Sequence, residues 1–286
     1  MKLLVGLDLR DAPEALVPLA LSWAEPLEMT VSLGYARPVP TAIPSPDAHP
    51  DDVLAQKRQW DADRAALEAV EQSIPAKLRG AIHLADGDPA QNLAEWATDH
   101  DVVAVGTHGR RGFAHWWLGS VAEKVVRTAT TPVLVLKNPL PQRPRVIVAL
   151  DVRIGASAFL DTVLPWLTRI DAVADLLYVE EGFIAVDPTG APILDSALQE
   201  SWAQVTAERA SRVKQLLERI PAQNRGSAHV MSGRASDVIA ERASDADLVI
   251  LGTHGRTGIP RFVLGSVAER TLRRSPVSTL VLRVTE

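Results

Sequence analysis

Residues 102–136 read VVAVGTHGRRGFAHWWLGSVAEKVVRTATTPVLVL, and residues 248–282 read LVILGTHGRTGIPRFVLGSVAERTLRRSPVSTLVL. The two stretches align without gaps, and 17 of their 35 positions are identical. Each contains Gly, two residues, Gly, nine residues and Gly-Ser, placed between an apolar run and a segment of helical period. A duplication of this length predicts two copies of one domain.

The bulk composition is that of an ordinary soluble protein, with 47% hydrophobic and 23% charged residues and a net charge of -5. An acidic balance argues against a nucleic-acid-binding surface. The absence of cysteine excludes thiolate nucleophiles, disulfides and cysteine-based zinc sites. The apolar run at the amino terminus is too short for a signal peptide, and no stretch predicts a membrane span. We therefore expect a cytoplasmic protein.

Short runs rich in Val, Leu and Ile alternate with segments of helical period, which predicts strands and helices in parallel α/β units. In the first half we predict strands at 3–7, 30–35, 81–85, 102–105 and 133–136. In the second half we predict them at 146–150, 174–179, 227–231, 248–251 and 279–282. The fold class is therefore α/β, with two tandem doubly wound domains, each a five-stranded parallel sheet with helices on both faces.

The stretch NPLPQRP at residues 138–144 stiffens a short connection with three prolines. We accordingly place the first domain at residues 1–138 and the second at residues 145–286. We expect a pseudo-two-fold relation between the two domains, with the last strand of each as a pairing edge.

The spaced glycines predict a phosphate-binding loop. Glycine lets the backbone approach a ligand closely, and the N–H groups that open a helix have no partner within it. The candidate residues are Gly106, Gly109, Gly119 and Ser120 in the first copy, and Gly252, Gly255, Gly265 and Ser266 in the second.

A purely structural interpretation competes with this one. The stretches SVAE at 120–123 and 266–269 match a capping box, in which Ser and Glu satisfy the N–H groups of their own helix. A cap does not require the preceding glycine pair, however, and that pair recurs at identical spacing in both copies. The recurrence favours a ligand.

Asp8 and Asp151 each follow the first strand of their half. If strands one and four are neighbours, the carboxyl ends of these strands border the crevice at the switch point of a doubly wound sheet. A carboxylate there suits a ribose hydroxyl. The competing interpretation is that each aspartate caps the helix that follows.

The chain resembles the universal stress protein family along essentially its whole length, on the pattern G-x2-G-x9-G-S followed by VAE and a final apolar strand. The resemblance implies an adenine nucleotide alpha hydrolase-like fold and membership of the ATP-binding subgroup. It also implies that the ends of the second strands lie beside the adenine through their backbone. By resemblance the ATP-binding residues are Asp8, Tyr35, Gly106, Gly109, Gly119, Ser120, Val121, Asp151, Val179, Gly252, Gly255, Gly265, Ser266 and Val267.

The sequence departs from the family pattern near both sites. Members commonly have Gly-Ser after the early aspartate, where this chain has Leu-Arg at 9–10 and Val-Arg at 152–153. Tyr35 is bulkier than the usual aliphatic residue, and Trp116 and Trp117 fill loop positions that are normally smaller. These bulky residues lead us to expect the first site to bind less readily than the second.

The function we expect is that of a nucleotide-dependent regulator in a stress response, holding ATP with Mg²⁺, with little or no turnover because no catalytic base is evident. The expected partners are an adenine nucleotide, an unidentified protein and a second copy of the chain in a homodimer, with no nucleic acid and no membrane. Two alternatives stay open. One is a slow ATP hydrolase or phosphotransferase using the same crevice, and the other is an interaction module with empty sites.

Overall fold

The computed structural model of the chain describes residues 1–10, 13–38, 50–107, 118–181, 196–253 and 264–283. The chain divides into two compact units, Met1–Leu140 and Pro141–Glu286. None of the helices in these ranges is long and apolar enough to cross a membrane.

The first unit alternates strands and helices along the chain. Its strands are β1 (Lys2–Gly6), β2 (Thr30–Arg37), β3 (Arg79–Asp86), β4 (Val102–Gly106) and β5 (Val133–Leu136). Its helices are α1 (Pro13–Ala24), α2 (Pro50–Gln72), α3 (Pro89–Trp96) and α4 (Ser120–Thr128). The strand order is β3-β2-β1-β4-β5, and the pairs are parallel.

The second unit repeats this arrangement. Its strands are β6 (Arg145–Ala149), β7 (Val173–Glu180), β8 (Arg225–Ser232), β9 (Leu248–Gly252) and β10 (Ser278–Leu282). Its helices are α5 (Ala156–Arg169), α6 (Ser196–Glu218), α7 (Ala235–Arg242) and α8 (Ser266–Arg274). The order is β8-β7-β6-β9-β10, again with parallel pairs.

The helices cover both faces of each sheet, as predicted. In the first unit, a Cβ placed on Gly6 would lie 2.7 Å from Leu93 of α3, whereas one placed on Gly106 would lie 3.2 Å from Leu16 of α1. Gly6 pairs with Val105, the neighbour of Gly106, so these two glycines face opposite sides of the sheet. The α1 and α3 helices therefore pack on opposite faces.

Burial on both faces explains the apolar strands. Residues 3–5 of β1 and 146–148 of β6 are buried throughout instead of alternating with polar residues, which is typical of parallel strands covered by helices. All ten predicted strands are confirmed, and the α/β fold class with five parallel strands in each unit is correct.

Candidate functional site

The crevice predicted from the strand order is present in the first unit. β1 lies between β2 and β4, with Gly6 paired to Gly34 on one side and to Val105 on the other. The chain leaves β1 toward β2 but reaches β4 only after β3, so the connections run in opposite directions and their carboxyl ends open a crevice. Asp8 follows the end of β1 at this place.

The second unit has the same crevice between β6 and β9. Ala149 pairs with Leu177 of β7 and with Leu251 of β9. Asp151 therefore stands where Asp8 stands in the first unit. In both units the backbone N–H after the first strand donates to the second strand, from Leu7 to the Gly34 carbonyl at 2.8 Å and from Leu150 to the Leu177 carbonyl at 3.1 Å.

The two helix starts differ from a capping box. The N-cap residues of α4 and α8 are Gly119 and Gly265, and neither position has a side-chain cap hydrogen bond. Ser120 and Ser266 are instead the first residues within the helices, and both are exposed. The capping-box interpretation, which required serine at the N-cap, is therefore wrong by one residue.

This shift determines what the helix ends can bind. The first bond within α4 runs from the Glu123 N–H to the Gly119 carbonyl at 2.9 Å, and Glu269 bonds Gly265 at 3.0 Å in the same way. The N–H groups that precede them cannot be satisfied inside the helix. A glycine N-cap offers no side-chain oxygen to replace a ligand there, and the positive end of the helix dipole favours an anion. Val121 and Val267 are half-buried in these first turns.

The strand ends that feed the loops carry the other predicted glycines. Gly106 ends β4 and Gly252 ends β9. In the second unit, Gly265 donates its N–H to the carbonyl of Thr253 at 3.3 Å, which brings the helix start next to the strand end. In this unit the structure therefore places the outer members of the glycine pattern, Gly252 and Gly265, close together. Gly109 and Gly255 lie outside the described residues.

The two aspartates have different partners. Asp8 is exposed and accepts a hydrogen bond from the backbone N–H of Arg10 at 3.0 Å. Asp151 accepts the same backbone bond from Arg153 and, in addition, bonds from the Arg153 Nε at 2.9 Å and Nη2 at 2.8 Å. Burial alone would raise the pKa of Asp151, but these bonds outweigh it and hold that pKa below its ordinary value.

Tyr35 and Val179 do not occupy equivalent positions. Tyr35 follows Gly34, the partner of Gly6, whereas Tyr178 follows Leu177, the partner of Ala149. The counterpart of Tyr35 is therefore Tyr178, and Val179 faces the opposite side of its sheet. Because a buried tyrosine is present in both crevices, Tyr35 is not a reason for weaker binding in the first unit.

The hydroxyl groups of the two tyrosines have different neighbours. Burial and the nearby Asp63 raise the pKa of Tyr35, while Arg10 donates a hydrogen bond to its hydroxyl and opposes that rise. Burial and a 2.7 Å hydrogen bond to Glu180 raise the pKa of Tyr178 to about 12. Each tyrosine is therefore a neutral group at physiological pH.

The charged residues near the two tyrosines have opposite signs at equivalent positions of the two units. β2 ends with Arg37, whose charge interacts with Asp63 of α2. β7 ends with Glu180, which lies 3.6 Å from the Nε of Arg209 on α6. These charged residues and Tyr178 were not among the sequence-predicted site residues. The offset of 143 residues between Asp8 and Asp151, applied to Tyr35 and Arg37, would have revealed Tyr178 and Glu180.

No group of three His, Asp or Glu side chains that could hold a metal ion occurs in the part of the chain that the structure describes. The oxygen atoms near the crevice are instead those of single residues, namely the Asp8 and Asp151 carboxylates and the hydroxyl groups of Ser120 and Ser266.

Comparisons with known proteins agree with this geometry. The model of the universal stress protein family matches residues 1–137 and 144–283. A universal stress protein of Mycobacterium tuberculosis is 28% identical over 229 residues, which cover 78% of this chain and 75% of that protein. Another from the same organism is 26% identical over 298 residues, covering 96% and 94%. The crystal structure of a universal stress protein from Archaeoglobus fulgidus has a TM-score of 0.68 and 20% identity, covering 99% of this chain and 98% of its own.

Proposed function

The chain belongs to the universal stress protein family, with two such domains in tandem, and from this premise we propose that it is a cytoplasmic regulator whose state depends on bound ATP and Mg²⁺. The nucleotide lies in the crevice at the carboxyl ends of the strands, with its phosphates at the glycine loop. Binding, not turnover, is the proposed activity.

The observation that carries this proposal is the pair of helix starts at Gly119 and Gly265. Each presents backbone N–H groups with no side-chain cap, and the second lies beside the end of β9, where Gly265 bonds Thr253. A ligand with negatively charged oxygen atoms fits these donors. The same arrangement occurs in both units. A helix cap alone would not require the glycine spacing, so the repetition favours a ligand.

The residues in the crevice fit the rest of a nucleotide. Asp8 is exposed and has lone pairs available for ribose hydroxyl groups. The Ser120 hydroxyl is exposed at the helix start, where it can donate to a phosphate oxygen or take part in the coordination of Mg²⁺. When bound, the metal ion neutralises phosphate charge that the backbone donors alone do not balance.

The test is a titration of the full chain with Mg-ATP, followed by thermal unfolding and native mass spectrometry. Nucleotide at 100 times Kd stabilises a protein by about 2.7 kcal/mol, which raises the Tm by several degrees in domains of this size. Asp8→Ala should reduce the shift, because it removes the proposed ribose acceptor.

A matched control is Asp101→Asn. Asp101 accepts a 2.7 Å hydrogen bond from the Lys2 backbone N–H where β1 and β4 begin, at the opposite end of the sheet from Asp8. This variant should show the same rise in Tm with Mg-ATP as the wild type, even if its Tm without ligand is lower. The absence of any shift in the wild type, together with no nucleotide released on denaturation, would refute the proposal. Steady production of ADP by the wild type would instead indicate an ATP hydrolase, provided that Asp8→Ala or Asp151→Ala abolishes it.

A further inference from the structure

The crevice of the second domain contains a guanidinium group at the place proposed for the nucleoside. Arg153 forms a fork on Asp151, with two side-chain N–H groups on the two carboxylate oxygen atoms and its backbone N–H on one of them. In the first domain the corresponding Arg10 keeps only the backbone bond to Asp8, and its side chain bonds the Tyr35 hydroxyl. The two domains thus share a backbone turn but differ in side-chain placement.

The position of Arg153 relative to β7 shows what it covers. Its charge interacts with Tyr178 and Glu180 as well as with Asp151. Asp151 follows β6, and the other two residues belong to the end of β7. The guanidinium therefore lies on the carboxylate that follows β6, within electrostatic reach of the end of β7, where the adenosine would lie.

The residue that ends the second strand differs in charge between the domains. Glu180 at the end of β7 is negative and interacts with Arg153, whereas Arg37 at the end of β2 is positive, like Arg10. Arg37 is itself held by a two-bond pair with Asp86, at 2.6 and 2.9 Å. The same local sequence, Asp-x-Arg, thus gives an open aspartate in one domain and a covered aspartate in the other.

We propose that Arg153 is an internal occupant of the second crevice, so that an adenine nucleotide fills the first domain before the second. The inference rests on the proposed function, because it concerns the order in which two nucleotide sites fill. It reverses the order expected from the bulky residues near the first site. Tyr35 has an equal counterpart in Tyr178, whereas Asp8 lacks the fork that covers Asp151.

The size of the effect follows from the bonds that the nucleotide must replace. A ribose hydroxyl reaches Asp151 only when the guanidinium fork has moved away. The fork is a two-bond, charge-assisted interaction on a half-buried carboxylate. Replacing it should weaken the second site by at least about tenfold relative to the first.

The experiment is a titration of the full chain with Mg-ATP, followed by calorimetry and by native mass spectrometry to count bound nucleotides. We expect one tight site and one at least about tenfold weaker in the wild type. Arg153→Ala should bring the second site to within about threefold of the first. Arg153→Lys, which retains one charge but not the fork geometry, should give an intermediate ratio. Asp8→Ala should weaken the tight site in the wild-type background, which assigns that site to the first domain.

The control variant is Arg145→Ala. Arg145 forms an ion pair with Asp175 at 3.5 Å in the same domain, at the amino end of β6. Its removal eliminates an arginine–aspartate pair and one positive charge without opening the crevice, so the ratio between the two sites should not change.

Four results would overturn the inference while leaving the proposed function intact. The first three are two equal sites in the wild type, an unchanged ratio in Arg153→Ala, and a weaker second site in Arg153→Ala, which would show that Arg153 assists binding. The fourth is an equal change of the affinity ratio in Arg145→Ala and Arg153→Ala. Binding by neither the wild type nor Arg153→Ala would overturn the proposed function together with the inference.

Discussion

Asp63 and Arg209 occupy the same position of equivalent helices and carry opposite charges. α2 and α6 both contain 23 residues. In the second domain the Arg209 Nε lies 3.6 Å from Glu180 at the end of β7. In the first domain Asp63 interacts electrostatically with Arg37 at the end of β2. Each domain keeps a pair of opposite charges beside its crevice, but the direction of the pair is reversed.

We expect Arg209→Leu to destabilise the second domain. Glu180 is buried, with 11% of its side chain exposed. Without Arg209, the Tyr178 hydroxyl is the hydrogen-bond donor that it retains among the described residues. An incompletely compensated buried carboxylate costs about 1–3 kcal/mol. The cost should appear as a lower urea midpoint for unfolding of this domain.

The double variant Arg209→Leu with Glu180→Gln tests the cause of that loss. A neutral amide does not need the arginine, so the second substitution should recover most of the lost stability. If the two substitutions cost as much together as the sum of their separate effects, the charges would not be coupled, and the paired arrangement would have no energetic role.

We expect Gly119→Asp to change stability and nucleotide binding in opposite directions. Gly119 has φ -63° and ψ 152°, a conformation open to any residue, and aspartate is a better N-cap than glycine by a few tenths of a kcal/mol. The new carboxylate would bond the helix N–H groups and repel phosphate. The variant should therefore have an equal or higher Tm without ligand and a smaller shift with Mg-ATP.

Gly119→Asn is the matched control for this substitution. It supplies a comparable cap without the charge, so it separates occupation of the N–H groups from electrostatic repulsion. It should bind Mg-ATP more tightly than Gly119→Asp but less tightly than the wild type. If Mg-ATP raised the Tm of Gly119→Asp as much as that of the wild type, the start of α4 would not contact phosphate.

The sequence was informative where one local pattern determines the structure. Apolar runs predicted all ten strands, most clearly those that are buried along their length, such as β4, β5, β9 and β10. The helix starts were misplaced by one residue, since Gly119 and Ser120 are both acceptable N-caps and the choice depends on how the loop enters the helix.

The chemistry of the crevices was harder to predict because it depends on side-chain placement. Asp151 and Arg153 form the same Asp-x-Arg pattern in the sequence as Asp8 and Arg10. They differ in the charge that ends the neighbouring strand, Glu180 in the second domain and Arg37 in the first, which is distant from them in the chain. The assignment of Val179 to the adenine site failed to match Tyr35 for a simpler reason, since an error of one residue along a strand moves a side chain to the opposite face.

Acid titration should reveal the contribution of Arg153 to stability. The pKa of Asp151 is lowered in the folded protein, so its ionised form stabilises the fold above the unfolded pKa of about 3.9, and that contribution is lost as pH falls toward the folded value. Arg153→Ala should therefore lower the Tm most at neutral pH, with a cost on the order of 1 kcal/mol. The difference from the wild type should shrink below about pH 4.

The control for this effect is the same substitution in an Asp151→Asn background. Asparagine does not titrate, so the cost of removing Arg153 should be smaller and independent of pH between about 3 and 7. A difference in Tm that stays constant with pH in the Asp151 background would show that Arg153 stabilises the domain through packing and not through the carboxylate.

Alkaline titration should reveal the cost of burying Lys137, which directly follows β5. Burial lowers the pKa of its ammonium group to about 8, below the unfolded value of about 10.4, so the unfolded chain binds more protons between these values and stability rises with pH across that window. Lys137→Met should remove this rise, because methionine does not titrate. Lys137→Arg should also remove it, because arginine stays charged. The measurement is the Tm of all three proteins between pH 7 and pH 10.5, and equal slopes would contradict the assignment.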